Sequence, residues 1–369
     1  MGDTLAEARE LATGLIGDQP DSWDRTGAIP DTLVRELGAK GVLCAEVPRE
    51  FGGLGLSSLE SGELTAYVGS LCSSLRSLMT SQGMAAWTIS RIGGPWQRKQ
   101  FLPALTGGEL AAVAFSEPDA GSDLSAMETR IVLDGSSAVV DGTKVWITAA
   151  AYADVLVVFG RYGEGAAVVL VPASTPGVRI ERIPDALGCR AAGHSVVGFD
   201  GVRVPAENVL PGAGQPPGLL VTTALSYGRM SVAWGCAGIL RACLAASARH
   251  AATRRQFGSR LADHQLVARH LAELLVAEQS VTRACEHASR CWDEGSPEVV
   301  TASLLAKHVG ATQAVRGAAT AVQVLASAGA RDGHAVARAH RDAKLMEIIE
   351  GSSEICQLAL GEQALAVWA

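Results

Sequence analysis

Glu350 lies in "MEIIEGSSEI", after Ile348 and Ile349 and just before Gly351, Ser352 and Ser353. Two kinds of chemistry suit that setting. One is architectural: Glu350, Gly351 and the serines close one helix and cap the next, with Glu354 in the new first turn. The other is catalytic. A carboxylate shut away from water has its pKa raised toward neutrality, and a general base works best when its pKa is near the working pH. The local residues leave both open. Other chemistry is sparse. The eight histidines show no HExxH or similar ligand spacing, and His264 and His270 fall on different faces of one helical stretch. The eight cysteines (Cys44, Cys72, Cys189, Cys236, Cys243, Cys285, Cys291, Cys356) form no CxxC pair, so no zinc site or redox dithiol is expected. Gly53 and Gly55 make a GxG, but no strand precedes it and the third glycine is absent, so a plain loop is expected.

The elements that must position these residues follow from the chain as a whole. Its 369 residues suffice for two or three domains with a large core, and 48% hydrophobic residues exclude disorder. A net charge of -7 argues against general nucleic-acid binding. No apolar run reads as a membrane span, and the acidic, amphipathic start lacks the basic and apolar regions of a signal peptide. Scattered cysteines in apolar patterns fit a reducing cytoplasm.

Three zones are expected, an α+β order of helical, β and helical. Residues 1–108 carry helical periodicity in "DTLVRELGAKGVL" and "SLESGELTAYVGSLCSSLRSLMTSQGMAAWTISRI". Residues 109–212 hold short β-branched runs. Asp-Gly pairs at 134–135, 141–142 and 200–201 punctuate them, which predicts antiparallel hairpins and a barrel or sandwich. No βαβ alternation supports a Rossmann sheet. Residues 213–369 hold alanine-rich stretches over about 222–254, 263–291, 297–329 and 336–364, which predicts a four-helix bundle with Glu350 in the last helix.

That order and five motifs resemble the acyl-CoA dehydrogenase family: "AFSEPDAGSD" at 114–123, "DGTKVWIT" at 141–148, "RRQFG" at 254–258 followed by "ADHQ", "AVQVLASAGA" leading into "RDAK" over 321–344, and "IIEGSSEI". The resemblance runs from about residue 30 to the end. It implies a flavoenzyme that removes two hydrogens from an acyl thioester, with an N-terminal helical domain, a central β-barrel or sandwich and a C-terminal four-helix bundle.

The resemblance also implies roles. Glu350 matches the family's catalytic base. Some members place the base on an earlier helix, at the position of Gly228, which cannot serve. Arg229 matches an arginine that supports the active site. Phe115 and Ser116 are expected to hydrogen-bond the flavin, and Ser122 to contact FAD or the pantetheine arm. Trp146 is expected against the isoalloxazine, with Thr148 near its reactive nitrogen. Arg254, Phe257 and Gln323 are expected to reach the pyrophosphate and adenosine half of FAD, in a neighbouring subunit of a homodimer or homotetramer. Ser352 and Glu354 follow the base onto FAD. In the chemistry so implied, the thioester oxygen gains charge as the α proton leaves. Donors must meet it: the N–H of the base residue and a ribityl hydroxyl.

The chain departs from the family pattern at three points. Ala326-Ser327 replaces paired glycines. Ile349 replaces a frequent tyrosine in the pocket wall. Ser226 stands where an aspartate helps hold CoA, which points away from CoA as the carrier.

Within the family, "GCRAAGH", "YGRMSVAWGCAGILRAC", "WDEGSP" and "DAKLMEIIEGSSE" look like the branch that oxidises a glyceryl unit on an acyl carrier protein toward hydroxymalonyl, in methoxymalonyl extender-unit biosynthesis of ascomycin-type polyketides. The electron acceptor could be a flavoprotein or oxygen, and the step could be alcohol to aldehyde or aldehyde to acid. An acidic carrier protein would meet Arg249, Arg255 and Arg260. The competing expectations are a general acyl-CoA dehydrogenase of fatty-acid or amino-acid breakdown, and a non-catalytic binding scaffold.

Overall fold

A computed structural model describes residues 2–369. Six helices come first: α1 (Gly2–Ile16), α2 (Pro20–Thr26), α3 (Asp31–Ala39), α4 (Ser58–Leu71), α5 (Ser73–Ile92) and α6 (Pro95–Thr106). Helix α4 starts where its sequence dictates. The Ser57 hydroxyl accepts from the Glu60 N–H, and the Glu60 carboxylate accepts from the Ser57 N–H at 3.1 Å. The long periodic run after it is not one helix. Cys72 is extended (φ -154°) and separates α4 from α5.

Seven strands follow: β1 (Ala111–Ala114), β2 (Arg130–Asp134), β3 (Ser137–Ile147), β4 (Val155–Tyr162), β5 (Gly165–Pro172), β6 (Val178–Arg182) and β7 (Ser195–Pro205). They form one sheet in the order β1-β4-β2-β3-β7-β6, with β5 on β4. The sheet is mixed. β1 runs parallel to β4, and β2 meets β4 in parallel at Arg130 and Arg161. Only one Asp-Gly pair turns a hairpin, Asp134-Gly135 between β2 and β3. The other two lie inside strands. Asp141-Gly142 bulges β3 against β7, and the Gly201 N–H donates to the Asp141 carboxylate across the pair at 2.7 Å.

The apolar runs of β4 and β5 bury both faces. Leu156, Val158, Val169 and Val171 point into one core, while Val155, Val157, Val168 and Leu170 point into another. This period of two gives β4 and β5 one face toward the inward side chains of β2, β3 and β7 and the other toward α5, α6 and α7.

The C-terminal part holds α7 (Pro217–Thr253), a two-residue-per-strand hairpin of β8 (Arg255–Gln256) and β9 (Ser259–Arg260), then α8 (Gln265–Asp293), α9 (Val299–Leu325), α10 (Ala335–Met346) and α11 (Ser353–Trp368). The last expected helix is therefore two, and Glu350 sits in the turn between them. Helical periodicity continues across the break, so the pattern alone conceals it. Helix α7 has 37 residues and is apolar and long enough to cross a membrane by length and composition, contrary to the sequence expectation. Its apolar stretch is 72% buried, and it packs between α4, α5, α8 and α9 as a core helix. All eight cysteines are buried free thiols.

Candidate active site

The turn after α10 holds Glu350 in a left-handed backbone conformation (φ 56°), followed by Gly351 (φ 95°). For a residue with a β carbon this costs about 1–3 kcal/mol and persists only where the surroundings fix it. Two cations do so, the half-buried Arg229 and the buried Lys307. Arg229 Nε donates to the Glu350 carbonyl at 3.2 Å, and Lys307 Nζ donates to the Gly351 carbonyl at 2.5 Å. Ser352 then caps α11 by accepting from the Ile355 N–H, and Glu354 falls exposed in its first turn. The architectural reading of the motif is thus correct as far as it goes.

The Glu350 side chain does something else. The residue as a whole is half-buried, but Oε2 is closed to solvent and has no hydrogen-bond partner among the described residues. Burial pushes its pKa up to about 7, while Arg229, Lys307 and Arg76 pull the other way. The Glu350 N–H also donates to nothing among the described residues. A basic oxygen and a free donor therefore lie on one residue. Gly228 faces them: a Cβ there would stand 2.3 Å from Glu350 Oε2 and 2.5 Å from Met84 Cε. Positions 228 and 350 converge on the same point. Ile349 packs on the C-terminal core, and Ser226 is buried with its hydroxyl donating back to the Thr222 carbonyl at 2.8 Å.

A second group of residues gathers at the end of β3. Trp146 has φ 58° in a stretch of irregular pairing with β7, which turns its indole out of the sheet to 54% exposure. Thr148 follows, with its hydroxyl 3.2 Å from His194 Nδ1. His194 is buried, and its pKa falls to about 4 through burial, with Arg76 and Arg182 adding to the effect. The loop carrying Phe115 and Ser116 is tied to the same strand. Val145 N–H donates to the Ser116 carbonyl at 2.9 Å, and buried Lys144 donates to the Phe115 carbonyl and to Glu117, each at 2.8 Å. Ser122 lies further along that loop, exposed. An out-turned aromatic ring, a neighbouring hydroxyl and a fixed loop form a surface that fits a flat ring cofactor.

The third group is on the surface. Arg254 ends α7, and Phe257 at the hairpin tip is 96% exposed with φ 51°. Gln323 is exposed near the end of α9. Ala326, where the family places glycine, has φ 50° and ψ -132°, a conformation natural to glycine. Of the three arginines expected to meet a carrier protein, Arg260 is already paired with Asp263 at 2.8 Å.

Sequence reading missed four residues beside these groups: Arg76, Lys144, His194 and Lys307. Each is a buried polar group inside a segment that reads as helix or strand. The available signals were Lys144 within "DGTKVWIT" and His194 within "GCRAAGH". It also missed that His287, Cys291 and Glu298 bring ligand atoms within 4.8 Å of one another, because Glu298 lies beyond the helix that carries the other two. A cleft on the β domain, lined by Asp119, Thr129, Asp141 and Arg161, contains none of the expected cofactor or substrate residues.

Comparison with known proteins gives the frame for this geometry. Family descriptions of the acyl-CoA dehydrogenase N-terminal, middle and C-terminal domains match residues 3–109, 112–202 and 219–365. Glutaryl-CoA dehydrogenase of Desulfococcus multivorans is 30% identical over 98% of this chain and 95% of its own. The solved structure of butyryl-CoA dehydrogenase from Megasphaera elsdenii superposes with a TM-score of 0.94 at 26% identity, covering 99% of this chain and 97% of that one. The structure described as FkbI for biosynthesis of the methoxymalonyl extender unit of the FK520 polyketide superposes with a TM-score of 0.94 at 62% identity, covering 97% of this chain and 99% of that one. With helices before and after a central sheet, and a buried carboxylate in the turn before the last helix, the chain belongs to the acyl-CoA dehydrogenase family, the flavin-dependent oxidoreductases of acyl thioesters.

Proposed function

We propose that this chain oxidises a glyceryl-derived unit on an acyl carrier protein toward hydroxymalonyl, with Glu350 as the base and FAD as the flavin. The carrying observation is Glu350 Oε2, closed to solvent and without a hydrogen-bond partner among the described residues, beside the residue's own N–H, which donates to nothing among them. The 62% identity to FkbI supports the substrate class. Ser226, committed to its own helix, supports a carrier other than CoA.

The α carbon of the thioester lies against Glu350, whose carboxylate takes the proton. Burial keeps that oxygen basic near neutral pH. Arg229 and Lys307 hold the turn by its carbonyls, so the carboxylate stays aimed. The Glu350 N–H donates to the thioester oxygen as negative charge develops there. Trp146, Thr148, Phe115 and Ser116 would hold the ring of a flavin, which would supply the hydride acceptor for the neighbouring carbon, and Ser122 would lie beside the pantetheine arm. For a glyceryl unit, losing the α proton and a hydride from the terminal carbon gives an enol, the tautomer of the aldehyde.

Arg254, Phe257 and Gln323 serve the pyrophosphate and adenosine half of a neighbouring subunit's FAD, with Ser352 and Glu354 on the same cofactor. The exposed apolar residues Phe257, Leu266, Val276, Leu365 and Trp368 support a homodimer or homotetramer. Buried free thiols support a cytoplasmic setting. The test is mass spectrometry of a glyceryl-loaded carrier protein incubated with the holoenzyme and an electron acceptor. With the glyceryl unit deuterated at its α carbon, a product three mass units lighter than the labelled substrate, two from oxidation and one from replacing deuterium by hydrogen, supports the reading. A product that keeps its α deuterium overturns Glu350 as the α-proton base.

A further inference from the structure

Three ligand-bearing side chains meet where α8 ends and α9 begins. His287 and Cys291 stand four residues apart in the last two turns of α8, so they share one face. That is the spacing HExxH gives its two histidines, with a thiol in place of one imidazole. Glu298 stands just before α9. One ligand atom from each residue lies within 4.8 Å of the other two, and His287 Nε2 is 3.8 Å from Cys291 Sγ.

The connector between the helices brings Glu298 to that place. It turns at Gly295 (φ 65°), whose N–H donates to the Trp292 carbonyl at 3.1 Å. The Ser296 N–H then donates to the Cys291 carbonyl at 2.8 Å, and the Glu298 N–H to Ser296 Oγ at 3.2 Å. The three side chains are otherwise uncommitted. Cys291 is 6% exposed, and its thiol has only His287 as a partner among the described residues. The Glu298 carboxylate accepts no hydrogen bond among them.

The donor set selects the ion. Calcium and magnesium take oxygen ligands. Thiolate, imidazole and carboxylate together suit zinc(II), which binds sulfur at about 2.3 Å and nitrogen at about 2.0–2.1 Å. At a tetrahedral angle such bonds hold the two atoms roughly 3.6 Å apart. The observed 3.8 Å between His287 Nε2 and Cys291 Sγ is close to that. Glu298 supplies a third corner, and a water completes the four.

We infer that His287, Cys291 and Glu298 bind one divalent ion of the zinc class, which clips the end of α8 to the start of α9. On binding, the Cys291 S–H bond gives way to a sulfur–metal bond and the proton passes to solvent. His287 and Glu298 are exposed, which leaves the ion a way in. The clip acts where α8 meets the N-terminal helices. Trp292 lies against Trp87 of α5 with ring centroids 4.3 Å apart, and the Asp293 carboxylate accepts from the Ser58 N–H of α4 at 2.7 Å. None of the three ligands hydrogen-bonds to the Glu350 turn or to the β3 surface, so the site stands apart from the proposed reaction.

The test titrates cobalt(II), then zinc(II), into tag-free holoenzyme after treatment with a chelator. Four-coordinate cobalt gives d–d bands at longer wavelength than the flavin absorption, so the two can be read together. One equivalent of cobalt per chain is expected to bring up those bands, and zinc to remove them. Cys291→Ser is expected to abolish them. His287→Gln and Glu298→Gln are each expected to weaken binding by at least the roughly 10–100-fold of an outer-shell loss. Zinc at about 100 times its Kd should raise the melting temperature by a few degrees in the wild type and not in Cys291→Ser. A wild type without cobalt bands overturns the inference, as do bands that persist in Cys291→Ser. An affinity unchanged in His287→Gln or in Glu298→Gln also overturns it. Both of those side chains are exposed, so these variants decide the matter should Cys291→Ser fail to fold.

Discussion

The turn at Glu350, proposed for the acyl thioester, and the hairpin at Phe257, proposed for a neighbouring subunit's FAD, are built in opposite ways. Around Glu350 the backbone is strained, the turn's carbonyls are held by Arg229 and Lys307, and the carboxylate oxygen Oε2 is closed to water. At Phe257 the backbone is also left-handed, but the ring is 96% exposed. In the proposed function one half of the site is completed within a single chain and the other half is presented outward. The proposed base chemistry needs the closed half, and the proposed binding of an extended cofactor across subunits needs the open half.

The largest effect should come from the closed half. Glu350→Gln keeps the shape and removes the basic oxygen, and turnover is expected to fall by about 10²–10⁴-fold while flavin stays bound. Steady-state rates and the flavin spectrum check this; near-normal rates would reduce Glu350 to a helix end. The same group fixes a pH signature. Its folded pKa, about 7, lies above its unfolded value, so the fold binds the extra proton between roughly pH 4.5 and 7 and loses stability as pH rises through that window. The rate of flavin reduction should climb with pH through about 7. Glu350→Gln should raise the melting temperature more at pH 8 than at pH 5, as calorimetry can show.

Breaking the open half should give a different loss. Phe257→Ser is expected to weaken flavin retention and subunit association together while leaving the melting of the isolated chain within about 0.5 kcal/mol, because the ring touches little of its own chain. Light scattering with flavin absorbance separates these; a full complement of flavin on a monomer would reject the cross-subunit role. A smaller effect is expected from reversing Arg249 and Arg255. The association rate with an acidic carrier protein should fall and its salt dependence flatten, with the catalytic rate unchanged. Stopped-flow binding at two ionic strengths decides. The smallest effect should be at Ala326, whose backbone suits glycine. Ala326→Gly is expected to stabilise the chain by about 1 kcal/mol in denaturant unfolding.

The closed half was the more legible in sequence. The zone order could be read because helical and strand periods differ, and Glu350 because its motif matches a family. What could not be read were long-range pairings. Arg76 looks like one polar residue in a helical run, and only the packing of α5 against α7 reveals that its Nε is buried without a partner among the described residues. The break before α11 was hidden because the apolar period continues through Ile348 and Ile349. The Asp-Gly pairs misled in the other direction. Their local preference for turns was overridden at 141 and 200, where they serve a bulged strand pair instead.

The contact between Gly228 and Glu350 has a consequence for how such an enzyme can change. The point where the two positions converge admits a single acid, reached either from α7 or from the turn before α11. An acid added at 228 while Glu350 stays would overfill it, and Glu350 lost first would leave it vacant. With Glu350 as the proposed base, its relocation to 228 is therefore a two-step exchange, and the crowding that any side chain at 228 would meet opposes the first step.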